Sequence, residues 1–287
     1  GDTTHFRRFV NELHNNGDYI GLYASGTGYT LKSNVDPTYV KYDEFERLNL
    51  KRIMKKGPDG DIASRHVVAG GPGSIRIGYD MCPTQPFVEE VVVDEITKII
   101  KEGQVDYIQY FDQNLGGNCY GCYSMEHGHG YGPGIYQNEA MVDIYKTLMP
   151  ILQSAERKPL IGCEAAAAEP FIPHLPYNDH RATINLRFGR PVPAYQYVNH
   201  EYLNGFMGNQ NSLNRTIDLE KSPLNMFQRL ALGFISGDMF TVILRENGDM
   251  IDAWGAEWDE EVPNQNHMKT LIKNLNAWRV KKGKDFL

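Results

Sequence analysis

Helical and extended hydrophobic patterns alternate along the chain. Apolar residues recur at helical spacing over residues 3–16, 42–54, 87–102, 137–155, 223–235 and 265–280. Short apolar runs that favour β-structure lie over residues 18–25, 74–80, 105–111, 159–163, 193–198 and 239–244. Alternation of this kind predicts a parallel sheet whose strands are connected by helices.

Polar residues directly follow most of the predicted strands. They are Asp80, Asp112, Glu164 and His200. Enzymes built as α/β barrels carry their chemistry at the C-terminal ends of the strands. We therefore predict a single (β/α)8 TIM-type barrel over residues 1–287, with a long insertion at about residues 35–73. Because the chain begins on a helix, the first strand is missing, which predicts an incomplete or N-terminally truncated barrel, or further domains of a longer chain.

The charge of the chain argues against nucleic-acid and membrane partners. Net charge is −7, and the longest basic cluster, Arg279 to Lys284, is too short for a nucleic-acid footprint. No apolar run approaches the roughly 20 residues needed to cross a bilayer. The glycine motifs GxGxxG, after a first strand, and GxxxxGK[ST] are both absent from the sequence, so we expect no nucleotide cofactor.

Asp112 and Glu164 follow consecutive predicted strands, an arrangement that suits glycoside cleavage. Adjacent strands lie about 5 Å apart, so side chains at their ends can converge to roughly 5–5.5 Å. One carboxyl group would protonate the leaving oxygen while the other attacks the anomeric carbon or activates water. We therefore predict a glycoside hydrolase with Asp112 and Glu164 as catalytic residues and a carbohydrate as substrate.

The residue types around this pair suit a sugar. Tyrosine rings offer stacking faces, while amide, imidazole and hydroxyl groups offer hydrogen bonds to sugar hydroxyls. The predicted pocket residues are Asp80, Tyr110, Gln113, His127, His129, Glu169, Tyr197 and His200. Glu169 lies in the same loop as Glu164 and is an alternative acid.

Two motifs resemble a bacterial family of barrel proteins related to glycoside hydrolases. They are FDQN at 111–114, which leads into CYGCYSMEHGHGYGPG at 119–134, and GCEAAAAEPFI at 162–172. In the related α-amylase-type arrangement, a nucleophilic Asp follows strand four and an acid/base Glu follows strand five. Counting the missing first strand, the resemblance implies that Asp112 is the nucleophile and Glu164 the acid/base of a retaining enzyme. The usual α-amylase histidine–aspartate pair near the end of the barrel has no evident match.

Two other readings stay open. His127 and His129 could bind a metal ion together with Asp80, Asp112 and His200, as in a metal-dependent hydrolase. A barrel with an incomplete wall could instead bind carbohydrate without catalysis. The main prediction requires neither a cofactor nor a metal.

The cysteine spacing is compatible with several states. The chain has four cysteines, Cys82, Cys119, Cys122 and Cys163, too few for a disulfide scaffold at this length. The Cys119-x-x-Cys122 pair could be unpaired, a local disulfide, a redox pair or half of a zinc site. With no second CxxC motif, a structural or unpaired role is favoured.

Overall fold

The computed structural model describes residues 3–24, 26–33, 36–62, 65–69, 75–111, 121–180, 192, 194–207, 225–245, 247–251, 262 and 264–283. The chain divides into two compact units, residues 1–176 and residues 177–287. Among the helices described, none is long and apolar enough to cross a membrane.

The first unit contains helices and strands in mixed order. The helices are α1 (Thr4–Asn15), α2 (Tyr42–Arg47), α3 (Pro86–Lys98) and α4 (Tyr136–Ser154). The strands are β1 (Gly21–Tyr23), β2 (Gly28–Ser33), β3 (Arg65–Ala69), β4 (Ile75–Asp80), β5 (Tyr107–Phe111) and β6 (Leu160–Cys163). Short 3₁₀ turns lie at Leu50–Ile53 and Glu169–Phe171, and a π turn at Ile99–Gly103 follows α3.

A parallel sheet of order β1–β5–β6 forms the centre of the first unit. Leu22 pairs with Ile108, which pairs in turn with Ile161. Helix α3 begins with a proline in its first turn, where no backbone donor is lost, and buries Val88, Val92 and Ile96 at four-residue intervals. Helix α4 likewise buries a stripe of residues, namely Met141, Ile144, Tyr145, Leu148 and Leu152. The predicted helices and these parallel strands are confirmed.

A separate antiparallel sheet of order β2–β4–β3 lies in the same unit. The prediction that residues 74–80 form a strand of the parallel sheet is wrong, because β4 pairs antiparallel with partners on both sides. Gly78 allows this close pairing, since a Cβ at this position would meet the backbone carbonyl of Tyr29. Strand β3 lies inside the predicted insertion at 35–73, which is therefore partly regular.

This difference changes the strand count. The placement of Asp112 after a fourth barrel strand depended on residues 74–80 being a barrel strand, so the count is wrong. The predicted adjacency of the strands that precede Asp112 and Glu164 is confirmed, because β5 and β6 are neighbouring parallel strands, with Phe111 paired to Cys163.

The second unit is built from shorter elements. They are β7 (Tyr177–Asp179), α5 (Ala194–Asn199), β8 (Asn204–Phe206), α6 (Asn225–Ile235), β9 (Ile243–Leu244), β10 (Met250–Ile251) and α7 (Gln265–Lys282). Strands β7 and β8 are parallel, and Phe206 makes a further parallel bridge to Met239. The core of this unit consists of Met207, Met226, Leu230, Met250, Val262 and Met268.

Residues 193–198 were predicted as a strand, and this is wrong: α5 is a helix over Ala194–Asn199. The short apolar run suggested a strand, yet Tyr197 is 80% and Val198 66% exposed. Short apolar runs do not distinguish a strand from a helical turn by periodicity alone. In the described part of both units the sheets are short, and a closed barrel is not among them.

Candidate functional site

Glu164 lies at the C-terminal end of the parallel sheet. It directly follows β6, its backbone N–H donates to the carbonyl of Phe111 (2.8 Å), and only 8% of the residue is exposed. The hydrogen bond joins Glu164 to the last residue of β5. A buried carboxyl group at this edge of a parallel sheet is in the position where α/β enzymes carry their chemistry.

The Tyr23 hydroxyl donates a hydrogen bond to Glu164 Oε2 at 2.7 Å. Tyr23 is the last residue of β1, so the bond connects the two outer strands of the sheet and passes the end of β5. The Tyr23 side chain is partly exposed, with 53% of its surface accessible. Two hydrogen bonds therefore fix Glu164. Its backbone N–H is bonded to the end of β5, and its carboxyl group is bonded to the Tyr23 hydroxyl.

The backbone turns sharply after Glu164. Ala165 has φ 62°, in the left-handed region that favours glycine. The Cys163 thiol donates to the Ala165 carbonyl at 3.5 Å, next to this turn. A non-glycine residue in this conformation costs of order 1–3 kcal/mol, and such strain occurs often at functional sites.

Asp112 and Gln113 lie outside the described residues, as do Cys119 and the rest of residues 112–120. Asp112 follows Phe111 in the sequence, and Phe111 is the residue whose carbonyl accepts the backbone N–H of Glu164. The predicted pairing of the two carboxylates stays a prediction.

The structure places the other predicted pocket residues of the first unit on several different elements. Asp80 ends β4 in the antiparallel sheet and is buried, with its carbonyl accepting the N–H of Lys55. Tyr110 is only 5% exposed and packs edge-on against Phe111, and burial raises its pKa above the usual value. Glu169 begins a 3₁₀ turn and is exposed.

Tyr197 and His200 belong to the second unit. Both side chains are exposed. His200 Nδ1 donates to the carbonyl of Tyr197 at 2.8 Å, at the C-terminal end of α5. The predicted strand that precedes His200 is a helix. The expectation that Tyr197 and His200 line the pocket from the end of a strand therefore no longer has support.

His127 and His129 instead meet two cysteines. His127 Nδ1 lies 3.3 Å from the sulfur of Cys122, and His129 Nε2 lies 3.5 Å from the sulfur of Cys82. The two imidazole rings are 5.7 Å apart. The sequence indicated these two histidines as sugar contacts or as ligands of a metal ion, but it did not indicate Cys82 as their neighbour.

A buried histidine–aspartate pair lies in the second unit. His180 Nδ1 donates to Asp238 Oδ1 at 2.8 Å, with side-chain exposures of 2% and 5%. His180 directly follows β7, and Gly205 of β8 leaves the space that the pair fills. Sequence patterns do not reveal this pair, because 58 residues separate its members.

Comparisons with known proteins point to one family and one group of folds. A family model described as "Domain of unknown function (DUF6259)" matches residues 2–209, more than half of the chain. Among curated proteins, none matches the sequence.

Solved structures of similar fold are enzymes that act on glycosides. TtGalA, an α-galactosidase from Thermus thermophilus in complex with stachyose, has a TM-score of 0.53 at 12% identity, covering 94% of this chain and 52% of that chain. The maltogenic α-amylase AmyB from Thermotoga neapolitana has a TM-score of 0.53 at 12% identity, covering 97% and 59%. A cyclomaltodextrinase has a TM-score of 0.57 at 13% identity, covering 96% and 48%. The chain spans about half the length of these structures, and the likeness concerns the fold.

Proposed function

We propose that this chain, which belongs to the DUF6259 family, is a glycoside hydrolase that cleaves O-glycosidic bonds of oligo- or polysaccharides on a (β/α)8-type fold. The observation that carries the proposal is the buried carboxyl group of Glu164 at the C-terminal end of β6, whose backbone N–H donates to the carbonyl of Phe111, the residue that precedes Asp112. The likeness of the fold to an α-galactosidase and to amylases supports it.

The proposed reaction uses the two carboxyl groups in turn. Asp112 attacks the anomeric carbon and forms a glycosyl ester, while the protonated Glu164 gives its proton to the departing oxygen. Glu164 then removes a proton from water, the water oxygen attacks the anomeric carbon, and the Asp112 carboxylate leaves. The sugar therefore keeps its anomeric configuration. Tyr23 positions Glu164 through its hydroxyl and does not itself exchange a proton with the substrate.

A group of four potential metal ligands weighs against the rival reading of a metal-dependent hydrolase. Catalytic zinc sites have three protein ligands and leave one position open for water or substrate. His127 and His129 face two cysteine sulfurs, so the protein itself offers four donors there. We therefore assign the chemistry to the carboxyl groups.

The test is hydrolysis of nitrophenyl glycosides and polysaccharides by the wild type and by Asp112→Asn and Glu164→Gln. General acid–base catalysis contributes about 10²–10⁴-fold, so we expect Glu164→Gln to lose at least about 100-fold in kcat. Asp112→Asn removes the nucleophile and should lose at least as much, and both variants should keep the circular dichroism of the wild type. Glu156→Gln, which removes an exposed carboxylate just before β6, is the matched control.

Each other outcome has a definite meaning. Turnover that survives in both variants would overturn the assignment. Loss in Glu169→Gln instead of Glu164→Gln would move the acid role to the exposed neighbour. A wild type that binds sugars without turning any over would favour a carbohydrate-binding barrel.

A further inference from the structure

Four metal-binding side chains from two distant parts of the chain meet at one point in the first unit. They are Cys82, Cys122, His127 and His129, and one donor atom of each lies within 4.8 Å of all the others. Both cysteines are fully buried, His127 is 7% exposed, and His129 is partly buried. Their burial separates this cluster from the chance groups of ligands that are common on protein surfaces.

Both imidazoles have their free lone pair directed at the cysteines. His127 Nε2 donates to the carbonyl of Arg52 at 2.6 Å, which leaves Nδ1 as the acceptor facing Cys122. His129 Nδ1 donates to the carbonyl of Gly130 at 2.7 Å, which leaves Nε2 facing Cys82. Metal-binding histidines almost always donate their other ring N–H to such a partner, because this fixes the tautomer and the ring orientation.

Further contacts fix the four side chains in place. The Tyr136 ring stacks on His129 with 3.9 Å between ring centroids and 4° between ring planes, and its hydroxyl accepts the N–H of Cys122. The backbone N–H of Lys56 points at the Cys122 sulfur at 3.5 Å. Gln85 donates to the carbonyl of His127 at 3.1 Å. Both the donors and the groups that orient them are therefore present.

We propose that Cys82, Cys122, His127 and His129 bind one zinc ion in a tetrahedral Cys₂His₂ site. Zn–S bonds of about 2.3 Å and Zn–N bonds of about 2.0–2.1 Å give tetrahedral edges of roughly 3.3–3.8 Å. The two sulfur–nitrogen separations of 3.3 and 3.5 Å fit these edges. The proposal replaces the sequence expectation that no metal is present, and it stands independently of the glycosidase proposal.

The site is structural because four protein ligands leave no position for water. It joins the residue two positions after β4 to the loop over residues 121–134, next to the backbone of Arg52 to Lys56. That loop lies between β5 and α4, downstream of Asp112. The ion would therefore anchor the far end of the segment that begins at the proposed nucleophile.

The first measurement is the zinc content of the intact chain, expressed with zinc in the medium and purified without chelator, by elemental mass spectrometry. We expect about one zinc ion per chain in the wild type and in Cys163→Ser, whose buried cysteine is not a member of the cluster. We expect less than about a tenth of this in Cys122→Ser and in His127→Ala, because each removes one of four ligands.

A second measurement keeps the proposal testable where a variant fails to fold. The wild type, stripped and reloaded with Co²⁺, should show the absorption bands of a tetrahedral cobalt ion bound to thiolate. Wild-type protein that contains no zinc and shows no such bands would overturn the proposal. A disulfide between Cys82 and Cys122 would also overturn the proposal. It would appear as an intact mass two hydrogens below that of the reduced chain and as a disulfide-linked peptide that contains both cysteines.

Discussion

At the scale of single residues, the hydrogen bond between Tyr23 and Glu164 is the contact most directly tied to the proposed chemistry. The bond is short, at 2.7 Å, and it reaches a carboxyl group that is otherwise buried. Because the proposed acid is protonated when it acts, this is a hydrogen bond between neutral groups, which contributes about 0.5–1.5 kcal/mol. Tyr23 is therefore expected to act on the rate by holding Glu164 in its orientation.

We expect Tyr23→Phe to lower kcat by about 2–10-fold, since 1.4 kcal/mol corresponds to a factor of 10. KM should change little, because the hydroxyl acts on Glu164 and not on the substrate. Tyr19→Phe, which removes a hydroxyl from a side chain that is 79% exposed, is the control. A kcat that does not change in Tyr23→Phe would exclude the positioning role.

The sequence indicated some of these residues and missed others for a physical reason. Glu164 was predictable, because it ends a short apolar run that could be recognised locally. Tyr23 and Cys82 were not, because their partners lie 141 and 47 residues away and depend on the folded arrangement. Local patterns indicate which residues end a strand, but only the pairing of strands decides which side chains meet.

At the scale of elements, Asp106 joins several segments just before β5. Its Oδ2 accepts the N–H of Ile20 at 2.9 Å and lies 2.9 Å from His14 Nε2, at the end of α1. Its Oδ1 accepts a hydrogen bond from Arg157 Nε at 2.7 Å, shortly before β6. Burial alone would raise the pKa of Asp106, but these partners outweigh burial and lower it.

We expect Asp106→Asn to reduce the free energy of unfolding by about 1.5–3 kcal/mol at pH 7, because hydrogen bonds to a charged group are lost. A lowered folded-state pKa means that ionised Asp106 stabilises the fold above the unfolded pKa of about 3.9, and that this stabilisation disappears as the pH falls through the folded pKa. The difference between variant and wild type should therefore shrink below about pH 4.

Urea unfolding at several pH values measures this difference. Asp143→Asn is the control, since Asp143 forms an exposed pair with Lys146 and should change stability by less than about 1 kcal/mol. A difference between Asp106→Asn and wild type that stays constant down to pH 3 would contradict the assigned role of the ionised carboxylate.

Among the elements, the sequence predicted the helices better than the strands. Helices α3 and α4 carry apolar stripes long enough to be recognised from periodicity. Strands β7 and β8 have three residues each, too few for an alternating pattern. For β4 the pattern indicated a strand correctly, but a pattern does not encode whether the neighbours run parallel or antiparallel.

At the scale of the whole molecule, the unfolding of each unit can be followed by a different signal. All three tryptophans, Trp254, Trp258 and Trp278, lie in the sequence of the second unit. The proposed zinc ligands lie in the first. Tryptophan fluorescence therefore follows one unit, while zinc release follows the other.

We expect a chelator that removes zinc to lower the melting temperature of the first unit by at least about 5 °C, since about 1 kcal/mol shifts the Tm of a unit this size by roughly 2–4 °C. Far-UV circular dichroism should then show an early transition that the fluorescence of the tryptophans does not follow. If both signals shift together by the same amount, the units unfold as one and this prediction is wrong.

The cysteine–histidine cluster also has a consequence for the topology of the chain. Cys82 and Cys122 are about 40 residues apart in sequence, so an ion held by both closes the chain between them into a ring. That ring contains α3, β5 and Asp112. Because such a site does not persist in the unfolded chain, the free energy of zinc binding adds directly to the free energy of folding. The segment that carries the central strand of the parallel sheet would thus be closed at both ends only while zinc is bound.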